Sequence, residues 1–509
     1  MSASQTLAFL AGHEFRLGWR DWVSLLTAGR RTRLRTAVIG VIAFVAVMHL
    51  IAYTLVARYA ASGVYPDKPT LVMVTGTMLL SWSLLLSQAM ESVTREFYAR
   101  SDLDLILTSP VSPRAIFSVR IGRIAVSVTV VAMLLGAPFI DMLAFFGGAQ
   151  WLAAYCVVAA MGAAAAAFAV AITVALFRLI GAKRTRLIAQ IVAAVIGAAF
   201  VIGLQVAAIL SYGNLSRLAP LRSEWLIAHA PDLGNAMWWP ARAVLGDLLA
   251  LVAVAAAAFG LLGVSIAIFS RRFGDHALAA AGISQTVVRQ RRWSRGFRRA
   301  SPHRVLRRKE WTLLRRDPWL MSQTLMQILY LLPPALMLWQ SFREGIGASV
   351  VLVPVMVMAA GQLAGGLAWL SISGEDAPDL VASAPVTARR VLWAKIEAVL
   401  GAIALTFGPL ILALAFASPW SAAMAGSGIL IATASATSIQ LFFRVQARRS
   451  HFRRRQTSSR LATLAEAFSS ITWAAAAGLA AAGTWFAVIP ALIALGILGG
   501  ARAVSPPPK

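Results

Sequence analysis

Residues 101–122 read SDLDLILTSPVSPRAIFSVRIG, and residues 376–397 read DAPDLVASAPVTARRVLWAKIE. Superposing Pro110 on Pro385 also superposes Asp104 on Asp379, Leu105 on Leu380, Val111 on Val386, Ser112 on Thr387, Arg114 on Arg389 and Arg120 on Lys395. A second echo precedes each copy. Glu14, Phe15, Arg20 and Asp21 match Glu310, Trp311, Arg316 and Asp317 at one constant offset. A long internal repeat sets architecture before local detail does. In a membrane protein, two parallel halves place a working site where they meet.

Composition puts the chain in the bilayer. It is 59% hydrophobic, with mean hydropathy +0.74, far above a soluble domain. Stretches of about 20 apolar residues recur, enough to cross ~30 Å of hydrocarbon as helix. They fall at 37–57, 70–90, 124–146, 151–177, 187–211 and 246–269, and again at 319–341, 349–372, 397–417, 420–442, 462–481 and 484–501. The reading is an all-α polytopic membrane protein of about 12 transmembrane helices in two pseudo-symmetric six-helix halves. Residues 1–269 form the first half, 270–309 a basic linker and 310–509 the second half. Pro333-Pro334 is expected to kink the span at 319–341. The apolar runs do not alternate with polar residues, which argues against a β-barrel.

The net charge of +27 is a matter of placement. With a cytoplasmic N-terminus, only Arg58, Lys68, Arg217, Arg222, Arg242 and Arg343 of the 47 Lys and Arg lie on the outer side. This is the positive-inside bias, repeated at each crossing. It puts both termini in the cytoplasm, and it accounts for the basic excess through topology and anionic lipid rather than nucleic acid. A single cysteine, Cys156, allows no intrachain disulfide. The N-terminus lacks the pattern of a cleaved signal, so the first span serves as the insertion signal.

Before that span, Phe15, Trp19, Trp22 and Leu26 share one helical face, with arginines on the rest. This describes a helix lying in the membrane interface. The repeated segment follows the second span. Its run Leu103–Leu107 ends at Ser109-Pro110, and Ser112-Pro113 then offers a helix start, with serine as cap and proline at the first helical position. Residues 270–309, with eleven Arg and one Lys, read as a linker on the membrane surface, as do residues 443–460. Residues 212–245 form the one large outer segment. Trp225, Trp238, Trp239 and Pro240 suit a chain at the interface or dipping into it.

Several chemistries have no residues to perform them. There is no phosphate-binding loop, no H-E-x-x-H and no G-x-S-x-G. The six histidines lack ligand spacing. Proton-coupled transport needs ionisable groups deep in the bilayer. Asp141, Asp247, Glu397 and Glu466 sit near span ends, and only His49 approaches a midplane, where packing or hydrogen bonding is its usual role. Gly361-x-x-x-Gly365 reads as a close helix–helix contact.

Taken together, the interfacial helix, the six spans, the segment D-L-x-L-x-S-P-V-S-x-x-x-I (from Asp104) between spans two and three, and the enlarged outer loop resemble a permease subunit of an ATP-binding cassette transporter of the type 2 exporter class. Here both permease units are fused in one chain. The resemblance implies short coupling helices that meet separate ATPase subunits. It marks Asp102, Asp104, Leu105, Pro110 and Arg114 in the first half, and Asp379, Leu380, Pro385 and Arg389 in the second. Glu14, Arg20 and Asp21, with Glu310, Arg316 and Asp317, form the interfacial-helix signature. The chain itself would carry no cofactor. ATP and magnesium would belong to two copies of a cytoplasmic ATPase partner, and the location would be a bacterial inner membrane. Two departures stand out. Ala384 and Ala388 replace the capping residues Ser109 and Pro113, and the second half lacks the outer loop. The rival readings are a polytopic enzyme acting on lipids and an ion-coupled transporter.

Overall fold

The computed structural model describes residues 3–27, 34–60, 66–98, 112–212, 220–270, 301–316, 349–372, 383–443 and 460–505, with isolated positions between 317 and 348 and at 381. Regular structure among these residues is entirely helical. The chain divides into two compact units, Met1–Arg289 and Gln290–Lys509.

In the first unit the long helices are α1 (Ala3–Thr27), α2 (Leu34–Ala60), α3 (Lys68–Tyr98), α4 (Pro113–Gly147), α5 (Ala153–Ile180), α6 (Ala182–Tyr212) and α7 (Leu248–Phe269). The alanine-rich α5 is the most deeply buried of its spans. Small side chains let α3, α4, α6 and α7 pack closely around it. Helix α4 begins as its sequence predicts. The Ser112 hydroxyl accepts from the Ala115 N–H, and Pro113 holds the first helical position.

In the second unit the helices are α8 (Pro302–Arg316), α9 (Ser349–Ile372), α10 (Ala388–Ala417), α11 (Pro419–Phe442), α12 (Arg460–Ala481) and α13 (Val488–Val504). Helix α9 is the central element here, packed by α10, α11 and α12. Helix α8 starts inside the stretch read as a linker. Thr387 stands at the cap position of α10 but makes no side-chain cap bond, so the second copy has the weaker cap that its sequence implies.

Among the described residues ten helices are long and apolar enough to cross a membrane. The predicted span 37–57 lies within α2, whose apolar core Val41–Ala57 is shorter. The predicted span 319–341 and its Pro333-Pro334 kink fall almost wholly outside the described residues. Large apolar side chains such as Leu249, Val252, Leu405 and Phe416 point outward, as bilayer-facing side chains do.

Within the stretch read as the outer segment, residues 220–245 are more folded than their composition suggests. Trp238 is buried against Leu71, Val72 and Ala241, and its Nε1 donates to the carbonyls of Pro231 and Asp232, both at 3.2 Å. Trp225 stays exposed. The segment therefore caps the start of α3 rather than only lying in the interface. It closes on Gly246 (φ +96°), where a Cβ would stand 2.8 Å from the Gln150 Cβ. Gly246→Ala is expected to destabilise the fold by about 1–3 kcal/mol, from left-handed backbone and crowding together. Gly260→Ala, in open space on α7, is expected to be neutral or stabilising. The thermal midpoints of the two variants check the contrast.

Candidate functional site

The residues following the repeated segment are the most informative. Arg120 lies two turns into α4 and is almost fully buried. A lone arginine there would carry a large desolvation cost. The structure surrounds it with acids from two other helices. Its Nε stands 3.6 Å from Glu14 Oε1 on α1, and its Nη1 3.7 Å from Glu96 Oε2 near the end of α3. Arg123, one turn further on, reaches the same pair. Its Nε is 3.5 Å from Glu14 Oε2, and its Nη2 donates to Glu96 Oε1. Two arginines and two glutamates thus form an ion-pair cluster that ties together α1, α3 and α4.

This arrangement explains why α1 turns as it does. Its buried face carries Leu10 and Glu14, whereas Phe15 and Trp19 are exposed. The aromatic stripe is therefore left for lipid, and the charged contact fixes α1 to the protein. Helices α3 and α4 also flank residues 99–111 in sequence. Any displacement of that segment pulls on two helix ends already joined by ion pairs.

The second unit repeats the pattern with fewer charges. Lys395 occupies Arg120's place, two turns into α10, and is buried. The 275-residue offset that matches Pro110 with Pro385 matches Glu96 with Ser371, and the Lys395 ammonium donates to the Ser371 carbonyl. The same offset matches Arg123 with Ala398, which is fully buried. At these two aligned positions one acid and one base are thus absent together. Glu310, the counterpart of Glu14, is buried on α8. Helix α8 packs on α10, where a Cβ at Gly401 would stand 2.7 Å from the Trp311 ring. At the rim of this contact Glu397 pairs with Arg307, with His303 Nε2 at 3.7 Å.

The other marked residues divide into three groups. Asp102, Asp104, Leu105, Pro110, Asp379, Leu380 and Asp317 lie outside the described residues. Arg114, Pro385, Arg389 and Arg20 are exposed. Asp21 lies on α1, and Arg316 is the last residue of α8. Sequence reasoning marked Glu14 and Glu310 but missed Glu96 and Arg123. The alignment of Arg120 with Lys395 was a signal that could have pointed to them.

Two further polar clusters were also missed. In the second unit Gln440 donates to Glu466 Oε1, the Ser435 and Ser469 hydroxyls meet at 2.9 Å, and Ser470 Oγ donates to the Glu466 carbonyl at 2.8 Å. The predicted glycine pair makes room for this group. A Cβ at Gly361 would stand 2.6 Å from Ser470 Oγ, and one at Gly365 2.5 Å from Glu466 Oε2. In the first unit His49, Asp141 and Tyr155 come together from α2, α4 and α5. The remaining acid, Asp247, caps α7 through the Ala250 N–H and pairs with Arg242 at 3.2 Å. Among the described residues no group of three or more His, Cys, Asp or Glu side chains could hold a metal ion.

No protein-family model, no curated protein and no solved structure matches this chain.

Proposed function

We propose that this protein is the membrane permease of an ATP-binding cassette exporter, with two six-helix halves in one chain and two separate cytoplasmic ATPase subunits. Binding of ATP closes the ATPase pair, and that motion enters the membrane through rigid contacts at residues 101–112 and 376–387. The observation that carries the reading is a recurrence. In each unit the amphipathic helix carries a buried acid (Glu14, Glu310) and packs on the helix that carries a buried cation (Arg120, Lys395), and that second helix directly follows a D-L…P-V segment. Such a clamp would pass a push on the segment to three helices at once, and it supports tilting of whole helix groups rather than loop motion. The cargo would pass along a route set by those tilts.

The expected partner is an ATP-hydrolysing subunit that co-purifies with the tagged full chain in mild detergent. Asp104→Lys combined with Asp379→Lys places like charge where complementary charge is expected at both contacts. The double variant should still fold and should lose at least about ten-fold of the recovered ATPase. A folded double variant that retains the subunit and its ATP-driven transport removes these aspartates from the contact.

A further inference from the structure

The three groups that meet in the first unit hold more hydrogen than their ordinary neutral-pH forms supply. His49 Nδ1 lies 2.8 Å from the Val45 carbonyl oxygen, and Nε2 lies 3.2 Å from Asp141 Oδ2. Tyr155 donates its hydroxyl to the other carboxylate oxygen, Oδ1, at 2.6 Å. A backbone carbonyl only accepts, and so does an ionised carboxylate. A neutral imidazole carries one N–H and can satisfy one of its two neighbours. The other contact would then set lone pair against lone pair. One additional proton resolves this, whether it sits on Nε2 as imidazolium or on Oδ2 as a carboxylic acid.

We infer that His49, Asp141 and Tyr155 form a proton-binding site that docks α2 on α4. Helix α2 packs mainly against α4, and its other faces, with Ile39, Ile42 and Leu50, are exposed. Besides the triad, a tilted ring contact of Tyr53 with Phe146, with centroids 5.6 Å apart, holds this part of α2. Among the described residues Asp141 is the titratable group that reaches His49, and Tyr155 reaches Asp141 in turn. Arg123 is 18 residues from Asp141 along α4, about 27 Å, and Arg35 is 14 residues from His49 along α2, about 21 Å. The His49 and Asp141 side chains are 31% and 41% exposed, so neither is enclosed by the surrounding helices. The sign follows directly. The proton is bound and α2 is docked at low pH, and docking weakens as pH rises and the proton leaves. The site lies at the end of α4 opposite Arg120, and it is independent of the proposed permease function.

Two readouts on the full chain in lipid nanodiscs test this. With Cys156→Ser as background, spin labels at Leu55→Cys and Phe145→Cys report the α2–α4 distance. The expected result is a lengthening of at least ~2 Å between pH 6 and pH 9, abolished by Asp141→Asn. In ¹⁵N-histidine-labelled protein, the signal lost in His49→Gln should show both ring nitrogens bearing or sharing protons at pH 6, and one N–H at pH 9. An α2–α4 distance indifferent to pH, a pH response that survives Asp141→Asn, or a His49 signal at pH 6 with a single N–H and no proton shared at the other ring nitrogen would each overturn the inference.

Discussion

Arg120→Ala is expected to destabilise the first unit by about 3–5 kcal/mol, the usual cost of breaking a buried ion pair by removing one partner. Glu14 and Glu96 would remain at 4% and 10% side-chain exposure, with Arg123 as their remaining shared cation. The loss should appear as a lower thermal midpoint in detergent and as faster amide exchange in α1, because Glu14 is the charged tether of that helix. A paired change separates charge balance from bulk. Glu96→Ser with Arg123→Ala installs in the first unit what the second already has at Ser371 and Ala398. The double variant should lose less than the sum of the two single variants, by about 0.5–3 kcal/mol. Strict additivity would mean that Glu96 and Arg123 do not act as a pair.

Gly365→Val is expected to be about as damaging in the second unit, at about 3–5 kcal/mol. Overpacking a tight interior costs about 1–3 kcal/mol, and a new side chain 2.5 Å from Glu466 Oε2 also displaces a charge-assisted hydrogen bond of about 1.5–3 kcal/mol. The direction of relief is specific. Glu466→Ala should cost less in the Gly365→Ala background than alone, since it removes the group being struck. Gly408→Ala, on a helix face with open space, should be neutral or stabilising by about 0.5–1 kcal/mol. Thermal midpoints of these variants are sufficient to check the order.

The two predictions bear on what hydropathy can reveal. Ten spans and the Ser112-Pro113 helix start were legible, because length, apolarity and capping chemistry are written in neighbouring residues. The packing face of α1 was not. In lipid, a bilayer-facing side and a protein-facing side can both be apolar, so the Phe15–Trp19 stripe drew attention while Glu14 did the tethering. Gly361-x-x-x-Gly365 was legible as a close approach. What approaches is Glu466 and Ser470, more than a hundred residues away, and no local pattern announces them. His49 and Asp141 are separated by 92 residues, so each looked like an isolated polar residue in a span. The repeat was the exception among long-range features. Matching Pro110 with Pro385 aligned Arg120 with Lys395, but nothing in the local sequence announced that both cations are buried.

The central claim is that the two repeated segments do the same work on the same side of the membrane. Single cysteines at Ser109→Cys and Ala384→Cys, each in the Cys156→Ser background, test it with a membrane-impermeant maleimide. Both positions should be protected in intact cells and should react in inside-out vesicles. Labelling from opposite sides, or no labelling from either, would contradict the account.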